Sequence, residues 1–365
     1  MSILPTCINC GKQYPPSDAP FLCSCGGVFD YSFLPKFQSS SIDESLPGMW
    51  KYKTMFGLED SALTVSLGEG RTPLVQTNSN SGSVWLKLEY QNPTGSYKDR
   101  GSAVLTSFLA GRGVKSVVED SSGNAGASLA AYAARSGIEA RVFVPETASG
   151  PKRSQIEYYG AEMVSVPGPR VNAARAVREA VTGEVVYASH AFMPFGLLGI
   201  ASIAYEIIAE LGGKAPGTVI APVGHGGLLY GVIQGFKALK TAAVVKEEPF
   251  YVGVQSAGCA PIFDAFESHE FTLREPLESD TIAEGVRVSH PVRGMGILRE
   301  IAGGNGRIMQ VADPELLDSY HDLAKRGFFV EPTSALPWAV LPKLSWNIPE
   351  PIVVILTGAG FKSKL

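Results

Sequence analysis

The sequence predicts an α/β protein made of two doubly wound parallel-sheet domains behind a small N-terminal segment of cysteine knuckles. Three observations lead there. Short β-branched runs alternate with helical patterns through most of the chain. The alternation comes in two series. A length of 365 residues also suits two domains of about 100–200 residues each.

In the first series, Val114–Val118, Ala140–Val144, Met163–Val166 and Val185–Tyr187 read as strands. Between and after them, Ala125–Arg135, Pro151–Tyr159, Val171–Val181 and Ile200–Leu211 read as helices. The second series has strands at Thr218–Ala221, Tyr251–Val254 and Pro351–Leu356, with a helix at Leu228–Leu239. Strands that alternate with helices imply parallel sheets covered on both faces. Two such series imply two domains with a cleft between them, and ligands in such folds sit at the carboxyl ends of strands. The expected boundaries are a knuckle segment at 1–34, a large domain from 35–104 and 196–365, and a small domain at 105–195. Residues 35–70 read as a linker and lead-in.

Hydrophobic residues are 45% and charged residues 18%, so a large core is expected. Net charge is −4, which argues against a partner held by phosphate neutralisation; no nucleic acid is expected. The richest apolar run, Thr218 to Phe236, is broken by Gly, Pro, His and Gln, so no membrane span is expected. The first residues lack a basic and then apolar leader, and a cytoplasmic protein is the expectation.

Four of the five cysteines are Cys7, Cys10, Cys23 and Cys25. Gly11 follows the first pair and Gly26-Gly27 the second, so tight turns could bring backbone amides to the sulfurs. This pattern is like a zinc ribbon, with four soft ligands for a tetrahedral structural zinc. The second knuckle is C-x-C rather than C-x-x-C, and a degenerate ribbon with free thiols is the alternative. Cys259 stands alone and reads as a small buried hydrophobe.

Two strand ends open into glycine-bearing loops that enter helices: Ser121-Ser122-Gly123-Asn124-Ala125-Gly126 and Gly224-His225-Gly226-Gly227. Such loops aim several backbone N–H groups at one point, at the positive end of a helix dipole. Neither fits a dinucleotide fingerprint or a P-loop. Two anion nests suit a ligand set with a carboxylate and a phosphate.

A third motif is Asn92-Pro93-Thr94-Gly95-Ser96-Tyr97-Lys98-Asp99-Arg100. With it, the chain resembles the threonine synthase branch of the tryptophan-synthase-β-like enzymes that depend on pyridoxal phosphate (PLP), of fold type II. That family carries N-P-T-G-S-F-K-D-R around its Schiff-base lysine, and Tyr97 here replaces Phe. Its S-S/T-G-N-x-G loop matches Ser121–Gly126, its glycine-rich phosphate cup matches Gly224–Gly227, and its T-G-x-G matches Thr357-Gly358-Ala359-Gly360. An N-terminal ribbon also occurs in many members.

The resemblance implies roles. Lys98 would hold PLP as an imine and then move the Cα proton; a lysine needs a desolvated setting to be a nucleophile at neutral pH. Gly224, His225, Gly226 and Gly227 would hold the cofactor phosphate, with His225 where threonine synthases usually carry Asn. Asn124 would lie beside the ring oxygen. Ser121, Ser122, Gly123, Asn124 and Ala125 would grip the substrate carboxylate, although Ser and Asn are also ordinary helix caps. Thr357 would face the pyridine nitrogen, and a hydroxyl there makes a milder electron sink than an Asp would.

One region departs from the family. Where many threonine synthases carry polar phosphate ligands, His190, Ala191, Met193 and Gly196 stand instead, which puts O-phosphohomoserine in doubt. The segment 284–294 offers Arg287, His290 and Arg293, with Arg287 the candidate substrate contact. Glu331 and Ser334 match a family segment near the cofactor. The leading reading is a PLP lyase of threonine synthase type acting on an amino acid, O-phosphohomoserine first. The alternative is β-elimination or β-replacement on a serine-, threonine- or cysteine-like substrate. A PLP-binding protein without catalysis is the reading from another class, and the retained Lys98 and Asn124 argue against it. Relatives are commonly dimers, so a homodimer is implied.

Overall fold

The computed structural model describes residues 4–58, 63–79, 82–147, 150–269, 272–276, 278–344 and 348–363. In chain order its elements begin with β1 (Thr6–Cys7), β2 (Phe29–Asp30), β3 (Leu74–Ser79), β4 (Gly82–Leu88) and α1 (Lys98–Gly111). Next come β5 (Ser116–Glu119), α2 (Asn124–Ser136), β6 (Glu139–Pro145), α3 (Pro151–Tyr158), β7 (Glu162–Val166), α4 (Arg170–Glu179), β8 (Val185–Tyr187) and α5 (Gly196–Glu210). The last are β9 (Thr218–Pro222), α6 (Gly227–Thr241), β10 (Phe250–Ser256), α7 (Pro261–Glu267), α8 (Gly294–Ile301), β11 (Gly306–Val311), α9 (Asp313–Lys325), α10 (Pro332–Ala339) and β12 (Ile352–Leu356). The fold is α/β with parallel sheets, as expected.

The chain divides into two compact units. The first holds Met1–Gly70 and Asn92–Ile200; the second holds Arg71–Gln91 and Ala201–Leu365. These cuts differ from the expected boundaries: 35–70 and 92–104 belong to the first unit. The reason for the 35–70 segment is apolar content. Trp50, Tyr52, Met55 and Phe56 lie in a 3-10 stretch and are each at most 1% exposed, so the segment is core and not linker. The Trp50 indole N–H donates to the Glu69 carboxylate, which also receives the Tyr132 hydroxyl at 2.7 Å.

The first unit carries a four-stranded parallel sheet in the order β7-β6-β5-β8, and the small antiparallel pair β1-β2. The β1-β2 segment is tied to this unit by an apolar cluster. Cys7, Tyr14, Cys23 and Phe29 share it with Leu105, Leu109, Met193 and Phe195. The second unit carries a six-stranded sheet in the order β11-β10-β9-β12-β4-β3. Five of these strands run parallel, and β3 returns antiparallel to β4 at the edge. The central strands β9 and β12, TVIAP and IVVIL, are buried at every position. That is why they read as unbroken apolar runs rather than alternating ones.

Helix α5 starts four residues before its expected first turn. A Cβ on Gly199 would lie 1.9 Å from the Arg100 carbonyl oxygen, so glycine there lets the helix pack against the start of α1. Among the described residues, no helix is long and apolar enough to cross a membrane.

Candidate active site

Lys98 opens α1. The turn before it is set by Gly95, which has φ 83° and donates its N–H to the Asn92 carbonyl at 2.8 Å. Asp99, next to the lysine, is fully buried and ties three elements together. Its carboxylate accepts the Thr94 N–H at 2.7 Å, the Thr94 hydroxyl at 2.6 Å and the Ser128 hydroxyl of α2 at 2.6 Å. Asp99 thereby fixes where the lysine leaves the backbone. The Lys98 ammonium lies 4.8 Å from the centre of the Tyr97 ring, and among the described residues no carboxylate pairs with it. An amine held this way is accessible to an aldehyde, whereas a salt-bridged one would be tied up. The Tyr97 ring is therefore a contact of the lysine, and Tyr in place of Phe keeps that face.

In the same unit, β5 ends at Glu119 and the loop 120–123 leads into α2. The N-cap of α2 is Gly123, and among the described residues no side chain caps the helix. The cap role open to Ser121 and Ser122 is thus not taken up, and the first-turn amides of Ala125 and Gly126 are left for an outside acceptor. Gly126 is demanded by the loop itself: a Cβ there would sit 1.8 Å from the Ser121 carbonyl oxygen.

The acidic pair at the junction of β5 and this loop was missed in the sequence. Glu119 is 1% exposed, and its Oε1 is 2.9 Å from His190 Nδ1. Burial pushes the Glu119 carboxyl well above its ordinary value; Asp120 adds to this and the Lys98 charge opposes it. Asp120 accepts the Tyr187 hydroxyl at 2.6 Å. Two consecutive carboxylates at the carboxyl end of a parallel strand are the clue that could have found them.

In the second unit, β9 runs through Val223 into Gly224–Gly227, and α6 begins at Gly227 behind an N-cap Gly226 with φ 91°. Three of the loop's features serve the protein's own packing. A Cβ on Gly224 would come 3.0 Å from the Gly285 carbonyl, and one on Gly226 would press on Arg293 and Ile297. The His225 carbonyl accepts the Arg293 N–H at 2.8 Å. Gly227 is different: it has an ordinary φ, and a Cβ there would meet nothing within 4 Å. Among the described residues, no side chain caps α6 either. An open cradle over uncapped amides fits a phosphate dianion.

Thr357 ends the segment after β12 and is 2% exposed. Its Oγ1 lies 2.8 Å from Ser334 Oγ of α10. Glu331 lies against the next residue, where a Cβ on Gly358 would be 2.2 Å from Glu331 Oε1. Arg287, the candidate substrate contact, is 39% exposed and occupied: its guanidinium is 2.8 Å from Asp280 and 3.8 Å from Glu278. Arg293 is the buried cation of that segment, at 3% exposure behind Gly226.

A family model described as pyridoxal-phosphate dependent enzyme matches residues 65–358. The chain belongs to that family. Threonine synthase of Methanocaldococcus jannaschii is 35% identical over 99% of this chain and 93% of its own length. Threonine synthase of Methanosarcina acetivorans is 32% identical over 93% of this chain and 86% of its own. Among solved structures, the T.th. threonine deaminase superposes with a TM-score of 0.67 at 29% identity, covering 81% of this chain and 94% of that one. An L-serine ammonia-lyase from Rhizomucor miehei shares the fold with a TM-score of 0.67 at 23% identity, over 80% and 94% of the two chains. The protein is a PLP-dependent lyase of threonine synthase-like kind, and PLP is its cofactor.

The lyase carries its four N-terminal thiols in one cluster, all within 4.8 Å of one another. Cys7 and Cys25 sulfurs are 3.5 Å apart, and those of Cys10 and Cys23 are 3.7 Å apart. A tetrahedral zinc with bonds of about 2.3 Å to sulfur has edges of about 3.8 Å, so the set fits that ion. The turns are those expected, with Gly11 at φ 73° and Gly26 at φ 80°. The Cys25 backbone N–H pulls the Cys23 thiol down to about 6. Cys259 is fully buried.

Proposed function

We propose that this enzyme eliminates a leaving group from an amino acid, in the manner of threonine synthase, with Lys98 as both cofactor anchor and proton carrier. The observation that carries the reading is the Lys98 amine: unpaired with any described carboxylate, over the Tyr97 ring, at a helix start locked by Asp99. Bound PLP supplies an electron sink for negative charge at the substrate Cα. Gly224, His225, Gly226 and Gly227 would hold its phosphate through backbone amides, and Thr357 would face the pyridine nitrogen. Asn124 lies beside the ring oxygen. The loop of Ser121, Ser122, Gly123, Asn124 and Ala125 binds the substrate carboxylate. Lys98 Nζ would take the proton from the substrate Cα, and the leaving group would depart from the side chain. Cys7, Cys10, Cys23 and Cys25 hold a structural zinc. The enzyme works on a free amino acid as a homodimer.

Two substrate readings divide on the fate of the eliminated product. The relatives' names favour O-phosphohomoserine and threonine. The stretch 190–196 favours simple β-elimination or β-replacement on a serine-, threonine- or cysteine-like amino acid. There Met193 is 1% exposed in the cluster shared with the cysteine knuckles, and Phe195 stacks on Phe108 with centroids 3.4 Å apart. His190 is engaged with Glu119. These positions serve packing, and a second phosphate gains no fixed cation from them.

The test has two parts. Reduction of the holoenzyme with borohydride, followed by peptide mass analysis, should find the cofactor's mass on Lys98; a mass on another lysine sinks the assignment. Turnover of O-phosphohomoserine to phosphate and threonine supports the first substrate reading. Release of a 2-oxo acid and ammonia, or formation of a substituted alanine, supports the second.

A further inference from the structure

We infer that His190 and Glu119 share a proton and deliver it to the group leaving the substrate's β-carbon, so that the preferred substrate is a β-hydroxy amino acid. The inference rests on the reading above, in which Lys98 takes the Cα proton.

The pair stands where two parallel strands of the first unit end together. Glu119 is the last residue of β5, and β8 runs beside it with Tyr187 opposite Val118. His190 follows β8. The chain is fixed on either side of it: the Ala188 N–H reaches the Val118 carbonyl at 3.0 Å, and the Met193 N–H reaches the Ser189 carbonyl at 2.9 Å. Ligands in such sheets sit at the carboxyl ends of the strands. The loop that follows Glu119 is also the one proposed for the substrate carboxylate.

Glu119 Oε1 is 2.9 Å from His190 Nδ1, so one hydrogen lies between them. The other oxygen, Oε2, is buried and has no hydrogen-bond partner among the described residues. A buried carboxylate with a bare oxygen is costly. One added proton brings a carboxylate and a neutral imidazole to zero charge, and that proton belongs to the pair. Burial first, and then the charge of Asp120, strengthen the hold on it; the positive charges of Lys98 and Arg170 weaken it. Asp120 itself accepts the Tyr187 hydroxyl at 2.6 Å. Lys98 thereby links two transfers. Uncharged, it leaves the pair protonated; once it has taken the Cα proton, its charge favours release from the pair. The His190 side chain is 23% exposed and that of Glu119 1%, so His190 is the donor and Glu119 a positioning residue acting through it.

The step balances. Lys98 takes the Cα proton, and the electrons of that bond become the second Cα–Cβ bond. The Cβ–O bond breaks toward oxygen, and the proton from His190 turns the departing hydroxide into water. Solvent then restores the proton through His190. Hydroxide needs such a donor to leave, whereas phosphate departs as a stable anion without one. A pair of zero net charge also gives a phosphate dianion no fixed cation.

The test compares initial rates of the holoenzyme on L-serine, L-threonine and β-chloro-L-alanine, since chloride leaves without a proton. In Glu119→Gln and in His190→Asn, the ratio of serine to chloroalanine turnover should fall by about 10²-fold, as expected when a general acid is lost. In wild type that ratio should fall as pH rises, because the pair loses its proton, and in His190→Asn it should stay level. Equal losses on both substrates, the result of a merely structural role, overturn the inference, as does a wild-type ratio indifferent to pH. Should Glu119→Gln not fold, His190→Asn and the wild-type pH series decide. Borohydride labelling of Lys98 in the same samples separates the two levels. Cofactor on Lys98 with an unchanged ratio, or with a wild type inert toward both hydroxy amino acids, sinks the role of the pair alone. Cofactor absent from Lys98 sinks the underlying reading as well.

Discussion

A methyl group built on Gly126 would lie 1.8 Å from the Ser121 carbonyl oxygen, whereas one built on Gly227 would meet nothing within 4 Å. Both glycines sit in the first turn of a helix that follows a parallel strand. In the first unit, the glycine is required by the protein's own backbone, and the surrounding loops are cross-linked by the Asp99 carboxylate. In the second unit, Gly227 answers no internal demand. The space over Gly227 is open to the phosphate proposed for it. The first unit's proposed site is thus preorganised by internal hydrogen bonds, whereas the second's proposed phosphate loop is open at Gly227.

Substitutions on each side test that contrast. The largest effect should come from Lys98→Ala, which removes the proposed proton carrier. Turnover should fall by about 10² to 10⁴-fold from that loss alone, while thermal stability of the cofactor-free protein stays near wild type. Asp99→Asn attacks the internal cross-link. Replacing three bonds to a buried charge should cost about 4 kcal/mol in chemical denaturation of the cofactor-free protein; a cost near zero would show that the first unit is not held this way.

Gly126→Ala should destabilise the cofactor-free protein by about 3 kcal/mol, through overpacking against the Ser121 carbonyl. Gly227→Ala is the counterpart and should leave that stability within about 0.5 kcal/mol of wild type. Its effect should appear in the cofactor dissociation constant, weakened by about tenfold as one charge-assisted bond is lost. Equal destabilisation by the two alanines would erase the distinction between the loops.

The smallest effect concerns Glu119. Its folded-state value is raised by burial, so between the ordinary carboxylate value of about 4.3 and the raised one, the folded protein binds more protons than the unfolded chain. Stability should therefore fall as pH rises through that window, by at most about 1.4 kcal/mol per pH unit. Glu119→Gln should remove that slope, as urea titrations at several pH values would report. An unchanged slope would assign it to other groups.

Much of the proposed site could be read from the chain because its residues are contiguous. The run from Asn92 to Arg100, the loop from Ser121 to Gly126 and the loop from Gly224 to Gly227 each carry their chemistry within a few residues of chain. The strands and helices of both series could be read from periodicity, and their observed limits fall within a few residues of those expected. Residues 35–70 were misread because a serine-rich, acidic stretch precedes Trp50 and hides an apolar cluster that only packing reveals. The edge pair β3-β4 and the helices α9 and α10 lacked a clear pattern beside the stronger runs. Arg287 looked available in the sequence, and Asp280 and Glu278 occupy it in the fold.

Residue type along short segments was enough to specify the cofactor class and to nominate the lysine proposed to carry it, because an amine, an amide loop and a glycine cup are properties of local chain. The pairing of buried polar groups came from the packed molecule. Ser334 and Thr357 are 23 positions apart, and Glu119 and Asp99 are likewise remote in the chain from His190 and Ser128, which they meet. A hydroxyl or carboxylate takes its donor or acceptor role from its surroundings, and those are set only when distant segments come together.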